Sequence, residues 1–326
     1  MDYSFLVVTY NSEDTIIATL ESIRYQIERY SEGYDVQLVL CDDGSKDNTV
    51  KCIEAWLNYY GEIFSTVTRI YNKDNIGTCK NIVTGYKALE SEFFRDMAGD
   101  DILPKCNSFA QMNLLKEYDV VRTYLLSFEN GKLRKSFNDN FIRLAKKYDS
   151  DREIRFKIYY DCPMYNGTLM RKSLLTDEIL DYIEKFQLVE DRPMWYKIVK
   201  NNPSLSIYFC EEPAVLYRDE GQGVTDNNSP HKKVIISDCM KLYRDIYNET
   251  ENPFLKYVIW CEWFNKGLPI KYINPITYYK HFRKKNLKKK VMIEEFRDMF
   301  EQNQKHLDYI LLKAEKFYGE MKNASN

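Results

Sequence analysis

The first hundred residues of the chain alternate between short apolar runs and segments in which apolar residues recur with helical spacing. A continuous apolar run predicts a strand buried on both faces, as the strands of parallel sheets are. Residues 4–9 form such a run, and further strands are predicted at 36–41, 67–71 and 93–98. Because a helical segment separates each run from the next, this order predicts an α/β fold with a mostly parallel sheet flanked by helices.

Polar pairs follow three of these runs, at the points where the predicted strands end. The pairs are Tyr10-Asn11, Asp42-Asp43 and Asp100-Asp101. Because ligands of parallel sheets bind beyond the carboxyl ends of the strands, we expect the pairs to converge on one cleft. Four carboxylates repel one another unless a cation or a donor-rich ligand lies among them, so the pattern predicts a ligand site.

Each acidic pair has a functional and a structural interpretation. Asp100 and Asp101 can hold Mn²⁺ or Mg²⁺ against a diphosphate, or they can cap a helix before Pro104. Asp42 and Asp43 can accept hydrogen bonds from a nucleobase or a ribose, or they can form a turn that leads into a helix. Both interpretations are open for either pair alone, whereas two pairs at equivalent strand ends favour a ligand site.

Two later sites carry side chains that suit the same chemistry. Glu190-Asp191 can deprotonate an acceptor hydroxyl, although a pair just before Pro193 is equally suited to begin a helix. Arg218 can bind phosphate oxygens with its forked guanidinium, although an ordinary surface ion pair is the commoner role for an arginine.

The composition excludes several classes of protein. The formal net charge of -2 argues against a general nucleic-acid-binding protein. The 8 cysteines include no CxxC pair, so we interpret them as buried free thiols, and the 3 histidines disfavour a histidine-based metal centre. No basic leader precedes the first strand, and no apolar stretch reaches the ~20 residues that span a bilayer, so we expect a cytoplasmic protein.

The order of these motifs resembles family 2 glycosyltransferases, which have the Rossmann-like GT-A fold. The matching segments are 7–11, 41–49, 75–77 with Lys80-Asn81, 99–101 and Glu190-Asp191. Together they extend over about residues 3–225, and the sequence DDGS-x-D-x-T at 42–49 is the most specific among them. The chain departs from the family at two positions. Ala98 stands where the metal-binding DxD element begins, and Glu220 stands where many members carry a histidine.

The resemblance implies a role for each predicted site residue. Asp191 is the general base of an inverting single displacement, and Asp101 with Asp100 holds the metal and the diphosphate. Tyr10 and Asp43 contact the nucleobase. The other predicted contacts to the nucleotide sugar are Thr9, Asn11, Asp42, Lys80 and Arg218, and those to the acceptor are Gly167, Thr168 and Glu190.

The predicted function is that of a metal-dependent hexosyltransferase. It moves a sugar from a nucleotide-diphosphate sugar, a UDP-sugar, to a glycan or lipid-linked acceptor in bacterial capsule or cell-surface polysaccharide synthesis. One alternative is a catalytically silent nucleotide-sugar-binding scaffold. Another is a sugar nucleotidyltransferase, which needs a Gly- and Arg-rich loop that is absent near the start of the chain. A signalling receiver domain leaves Glu190-Asp191 unexplained.

The chain is expected to divide into a catalytic domain and a tail. The predicted parts are a GT-A domain at 1–225, with a nucleotide-sugar half at about 1–105 and an acceptor half at about 106–225, and a helical extension at 226–326. Residues 280–290 contain seven Lys and Arg, and aromatic residues precede them, so the segment 256–290 can lie on an anionic membrane. A packed helical subdomain with a solvated basic face is the alternative. The sequence leaves open whether the chain forms a homo-oligomer.

Overall fold

A computed structural model of the chain describes residues 1–31, 33–134, 150–160, 164, 167–219, 230–267 and 297–324. Four parallel strands form its first sheet, and three helices alternate with them. The strands are β1 (Tyr3–Thr9), β2 (Val36–Asp42), β3 (Thr66–Tyr71) and β4 (Phe93–Ala98), and the helices are α1 (Ile16–Tyr30), α2 (Thr49–Tyr60) and α3 (Thr78–Ala88). The strand order β3-β2-β1-β4 confirms the predicted α/β fold.

Both faces of the central strands β1 and β2 are buried, as their apolar sequences predict, whereas β3 at the edge of the sheet is partly exposed. Phe5 and Val7 of β1 face a core that includes the apolar side chains of α1 and α2. Leu6, which points to the opposite face, joins a second core that contains Cys79 and Val83 of α3. The alternation of side chains along a strand therefore explains why every position of β1 from Tyr3 to Val7 is buried.

A second sheet of mixed direction follows in the chain. Its strands are β5 (Val120–Glu129), β6 (Lys132–Leu133), β7 (Leu169–Met170) and β8 (Ile207–Arg218). The helices in this part of the chain are α4 (Ser108–Asn113), α5 (Asp151–Lys157), α6 (Asp177–Ile183) and α7 (Asp191–Asn201). β5 pairs with β8 in parallel and with β6 and β7 antiparallel. The helix predicted from residue 174 to 186 is shorter, because Thr176 is extended and interrupts the helical backbone.

The described residues of the tail are helical, and its last helix packs beside the first sheet. Its helices are α8 (Lys232–Glu249), α9 (Pro253–Gly267) and α10 (Arg297–Ala324). α10 packs against α1, and the buried His306 ring lies 3.0 Å from the backbone oxygen of Leu103. The basic run at 280–290 lies outside the described residues, and the domain boundary at 225–226 stays a prediction.

Candidate active site

The β1–α1 and β2–α2 loops are joined by hydrogen bonds in both directions. The backbone N–H of Ser12 donates to the Thr49 hydroxyl at 2.7 Å, and that of Glu13 donates to the Asp47 carboxylate at 3.1 Å. In return, the Glu13 carboxylate accepts from the backbone N–H of Asn48 at 2.8 Å. The polar residues of the sequence DGSKDNT therefore hold the two loops against each other at the carboxyl edge of the sheet.

Asp42, the last residue of β2, closes the turn that follows this strand. Its side chain is buried and accepts hydrogen bonds from both the backbone N–H and the hydroxyl of Ser45, the former at 2.8 Å. This arrangement agrees with the structural interpretation of the Asp42-Asp43 pair, in which an acidic side chain forms a turn.

Asp43 binds the loop that follows β3. One carboxylate oxygen accepts from the backbone N–H of Ile76 at 2.8 Å, and the other accepts from that of Gly77 at 3.1 Å. Gly77 has a φ of 93°, which side-chain-bearing residues rarely adopt, so the loop needs glycine where it turns toward the carboxylate. Burial raises the pKa of the Asp43 carboxyl, while these N–H groups favour its anion. Asp43 therefore anchors a third loop at the edge predicted to bind the nucleotide.

The remaining predicted nucleotide contacts lie at the same edge. Thr9 is buried at the end of β1, and within the described part of the chain its hydroxyl has no hydrogen-bond partner. Tyr10 is exposed, and Asn11 has a left-handed φ of 49° and accepts from the backbone N–H of Lys46 at 2.9 Å. Lys80 is exposed in the first turn of α3. The ring of Tyr10 is accessible for stacking on a base.

Asp100 and Asp101 follow β4 and meet the end of β8. The backbone N–H of Arg218 donates to the buried Asp101 carboxylate at 3.1 Å, and its Nε donates to the backbone oxygen of Asp100 at 3.0 Å. The Arg218 guanidinium also lies 4.8 Å from the centre of the Phe128 ring. The structure therefore brings together the acidic pair and the arginine that the sequence predicts to bind phosphate. Glu220 lies outside the described residues.

Gly167 and Thr168 precede β7 and pack against β5 and β8. Gly167 has a φ of 90°, and a Cβ there would lie 2.9 Å from the Cβ of Ala214, so neither the conformation nor the space allows a side chain. The Thr123 hydroxyl donates to the Gly167 backbone oxygen at 2.8 Å. Thr168 is buried, and the segment forms a tightly packed wall of the second sheet.

Glu190 and Asp191 stand at the start of α7, so the pair also begins a helix, as the structural interpretation predicts. The Asp191 carboxylate accepts from the backbone N–H of Arg192 at 2.6 Å. Just upstream, the backbone oxygen of Gln187 accepts from the backbone N–H of Cys79 at 3.2 Å, in the first turn of α3. This bond places the pair's segment beside the loop that Asp43 anchors.

The surroundings of this pair favour protonated carboxyl groups. Both side chains keep some accessible surface, yet protein atoms crowd their carboxyl groups. Burial raises the pKa of Glu190, and the negative charge of Asp191 raises it further. Burial also raises the pKa of Asp191, although the Arg192 backbone N–H and guanidinium charge oppose this shift. Carboxyl groups with raised pKa values suit general acid and base roles.

Sequence reasoning missed two carboxylates near the pair. Asp96 of β4 accepts from the Tyr86 hydroxyl at 2.6 Å, and its charge adds to the raised pKa of Glu190. The available signal was a charged pair, Arg95-Asp96, within a predicted strand. Asp238 of α8 accepts from three backbone N–H groups that precede the pair. A lone aspartate in an amphipathic helix gives no comparable sequence signal.

The described residues also bear on the expected metal-binding groups, free thiols and membrane-spanning segments. Among them, no three His, Cys, Asp or Glu side chains form a metal-binding group. The seven cysteines in the described ranges are free thiols, and six of them are buried, which confirms the interpretation for these six, whereas Cys106 is partly exposed. No helix in the part of the chain that the structure describes is long and apolar enough to cross a membrane.

The fold and this site define a class of protein. A Rossmann-like parallel sheet carries acidic side chains and an arginine at its carboxyl edge, and a second carboxylate pair lies beside it. These are the features of a glycosyltransferase that uses nucleotide-sugar donors. The chain belongs to glycosyl transferase family 2, because the model of that family matches residues 4–176, more than half of the chain.

Two curated proteins are similar in sequence. Abequosyltransferase RfbV of Salmonella typhimurium is 22% identical over 292 residues, which cover 79% of this chain and 81% of RfbV. Minor teichoic acid biosynthesis protein GgaA of Bacillus subtilis is 23% identical over 278 residues, which cover 79% of this chain and 58% of GgaA. The chain therefore matches less than two thirds of GgaA.

Solved structures share the fold. The 1–349 portion of S. aureus TarS, in complex with UDP-GlcNAc, superposes with a TM-score of 0.56 at 19% identity and covers 83% of this chain and 73% of that chain. Mannosyltransferase PcManGT from Pyrobaculum calidifontis, in complex with GDP-Man and Mn2+, superposes with a TM-score of 0.54 at 13% identity and covers 97% of this chain and 86% of that chain. At these identities the similarity concerns the fold alone.

Proposed function

We propose that the chain transfers a sugar from a UDP-sugar to a glycan or lipid-linked acceptor in bacterial cell-surface polysaccharide synthesis. One structural observation carries the proposal. Asp43 accepts a hydrogen bond from the backbone N–H of Gly77, and Gln187 accepts one from the backbone N–H of Cys79. These bonds connect the carboxyl edge of the first sheet, which we call the nucleotide edge, to the Glu190-Asp191 segment. The names of RfbV and GgaA support a surface-glycan product, and the UDP-GlcNAc complex of TarS supports a UDP-sugar donor.

In this proposal Asp191 is the general base. The acceptor oxygen attacks the anomeric carbon of the sugar while its proton passes to the Asp191 carboxylate. The bond from the anomeric carbon to the diphosphate breaks, the nucleotide diphosphate leaves with the electron pair, and the configuration inverts. Burial raises the pKa of both carboxyls, but the Arg192 backbone N–H and charge oppose this shift at Asp191 and favour its anion, whereas Glu190 keeps a proton and can hydrogen-bond the acceptor.

We further propose that Asp100 and Asp101 hold Mn²⁺ or Mg²⁺. The donor set fits, because these cations take carboxylate oxygens and often use one or two protein ligands beside substrate phosphates. Asp100 keeps partial exposure, whereas one oxygen of the buried Asp101 already accepts from the Arg218 backbone. A bound cation would neutralise charge on the leaving diphosphate. The Mn2+ in the PcManGT complex supports this assignment.

Nucleotide release from a donor panel tests the function. The panel contains UDP-glucose, UDP-galactose, UDP-GlcNAc, GDP-mannose and dTDP-glucose, each with Mn²⁺, Mg²⁺ or EDTA. We expect release from a UDP-sugar that requires metal, and calorimetric binding of UDP that weakens in EDTA and in Asp100→Asn. No release from any donor, together with retained nucleotide binding, would leave the silent scaffold as the better interpretation, and no binding of any nucleotide would contradict both.

We also propose that the tail contacts the inner face of the cell membrane through the segment 256–290. On α9, the exposed side chains of Phe254, Tyr257 and Trp260 recur every three residues, and aromatic rings of this kind favour the membrane–water interface. Sedimentation with anionic lipid vesicles tests the contact. Binding should fall in Trp260→Ser and persist in Tyr59→Ser, which changes an exposed aromatic ring on α2. Equal binding by both variants and the unchanged protein would contradict it.

A further inference from the structure

Asp238 of α8 binds the backbone of the three residues that precede the carboxylate pair at the start of α7. One oxygen of its carboxylate accepts from the N–H of Gln187 at 3.0 Å, of Leu188 at 2.8 Å and of Val189 at 3.2 Å. The side chain is buried, with 6% exposure. Hydrogen bonds to a buried anion are stronger than neutral ones, so three that converge on one oxygen fix this backbone.

The same helix also holds the residue that follows the pair. Nη1 of Arg192 donates to the sulfur of Cys239 at 3.7 Å, and its guanidinium carbon lies 4.9 Å from the centre of the Tyr243 ring. Cys239 adjoins Asp238 in sequence, and Tyr243 lies one turn further along α8. One helix therefore grips the chain on both sides of the carboxylate pair.

The segment gripped by α8 is also joined to α3. Gln187 donates its N–H to Asp238 and accepts from the N–H of Cys79 through its backbone oxygen. That oxygen lies 3.3 Å from where a Cβ of Gly77 would stand, so the two backbones touch. The loss of Asp238 would free the pair's segment on one side, while the bonds from Asp43 to the Gly77 loop remain.

We propose that Asp238 is a positioning residue that holds Glu190 and Asp191 where they meet the acceptor. The proposal rests on the proposed function of Asp191 as the general base. A general base must lie within hydrogen-bond reach of the proton that it removes, and a displacement of about 1 Å can lower turnover about hundredfold. Because α8 lies beyond the residues 4–176 that the family model matches, this assignment does not follow from the family match.

Variants of Asp238 test the proposal. Asp238→Asn removes the charge and Asp238→Ala removes every acceptor, so we expect kcat for UDP-sugar hydrolysis to fall about tenfold and about hundredfold, respectively. The Kd for UDP, measured by calorimetry, should stay within about threefold, because the Asp43 loop is intact. Unchanged UDP binding also shows that the variants fold.

Asp245→Asn is the matched control. Asp245 lies on the same helix and accepts from the Tyr182 hydroxyl at 3.0 Å, so its loss perturbs α8 without freeing the Gln187 segment. We expect its kcat to stay within about twofold. Hydrogen exchange should accelerate in the peptide that contains residues 187–189 for Asp238→Asn and remain unchanged for Asp245→Asn.

Asp191→Asn, measured in parallel, separates the two proposals. Full turnover in Asp191→Asn would remove the general base and the positioning role with it. A strong loss in Asp191→Asn with unchanged kcat in both Asp238 variants would overturn the positioning role alone. Equal losses in Asp238→Asn and Asp245→Asn would also overturn it, because they would show a general requirement for α8.

Discussion

The two acidic regions beside the first sheet hold their carboxylates in different ways. At the nucleotide edge, both oxygens of Asp43 accept backbone N–H groups from residues 33 and 34 positions later. At the second region, the Asp191 carboxylate accepts a hydrogen bond from the N–H of the next residue, Arg192. The segment before it depends on Asp238, 51 positions after Gln187.

This difference distinguishes a region whose carboxylates hold loops in place from a region whose carboxyl groups can transfer a proton. A carboxylate whose two oxygens bind backbone N–H groups is committed to holding a loop, because releasing it would orphan those donors. A crowded carboxyl with a raised pKa is better suited to accepting a proton during the reaction. We therefore expect substitutions at the nucleotide edge to alter donor binding and stability, and substitutions at the pair to alter turnover.

The largest expected effect is the loss of turnover in Asp191→Asn. The amide cannot accept the acceptor's proton, so kcat should fall about a thousandfold, while the Kd for UDP stays within about twofold. Steady-state kinetics of donor hydrolysis and calorimetry with UDP measure the two quantities. If the Kd for UDP rose by as large a factor as kcat fell, the pair would also bind the donor, and the two regions would not differ in function.

The reverse pattern is expected for Asp43→Ala. The change leaves the N–H groups of Ile76 and Gly77 without their acceptor, so the Gly77 loop should loosen and the free energy of unfolding should fall by about 2 kcal/mol. The Kd for UDP should rise about tenfold or more, with a smaller change in kcat. Asp2→Asn is the control, because Asp2 also accepts from a backbone N–H, that of Asp35, but stands before β1 at the opposite end of the strand. A donor Kd that is unchanged in Asp43→Ala would contradict a nucleotide role for this edge.

The pH dependence of the free energy of unfolding, measured in Glu190→Gln, tests whether the carboxyl groups of the pair are held in a raised-pKa state. Burial and the charge of Asp191 raise the pKa of Glu190 to about 8, whereas an unfolded glutamate titrates near about 4.3. Between these values the native state binds more protons than the unfolded state, so stability falls as pH rises through this window. Glu190→Gln should flatten that fall.

The same variant should also change the pH profile of turnover. Glu190 keeps its proton up to a pH of about 8, so the neutral glutamine should leave the rising limb of kcat against pH in place and remove the change in turnover that follows when Glu190 ionises. Among the described residues, the other charged or titratable groups near the pair include Asp96, Asp238, Tyr86, Cys79 and Arg192, and the variant leaves them in place. Identical pH profiles for Glu190→Gln and the unchanged protein would show that the two carboxyls do not interact.

The sequence predicts the first sheet well because its signal is local. Continuous apolar runs and the polar residues that end them give β2 as 36–41, and the strand spans Val36–Asp42. The helix predicted at 174–186 is less accurate, since Thr176 adopts an extended backbone that no simple spacing reveals. Regular periodicity is thus predicted more reliably than the residue at which it breaks.

The site is predicted less completely, because motifs identify residues but not their hydrogen-bond partners. Asp42 and Asp43 were predicted as ligand contacts, and the structure shows that they also hold a turn and a loop. Asp238 could not be predicted, because its partners are backbone N–H groups, which every sequence contains. The contact forms only when α8 packs beside the start of α7.

The smallest expected effect is that of Asp47→Ala, which lies in the specific sequence DDGS-x-D-x-T at 42–49. Asp47 accepts from the N–H and hydroxyl of Thr49 at the start of α2 and from the N–H of Glu13, and these hydrogen bonds hold its pKa below the usual range against the opposing effect of burial. Asp47→Ala should therefore lower the free energy of unfolding by about 1 kcal/mol, as the loss of a helix cap does. This contribution belongs to the ionised carboxylate, so it is present near neutral pH and is lost as pH falls through the depressed pKa.

Urea denaturation of Asp47→Ala at neutral and acidic pH measures this effect, with Asp151→Ala in the first turn of α5 as a control remote from the loops. Turnover should change less than threefold, because Thr49 and Glu13 keep other hydrogen bonds between the loops. A loss of turnover as large as that of Asp191→Asn would mean that the nucleotide edge takes part in the chemical step, and the division between shape and proton transfer would fail.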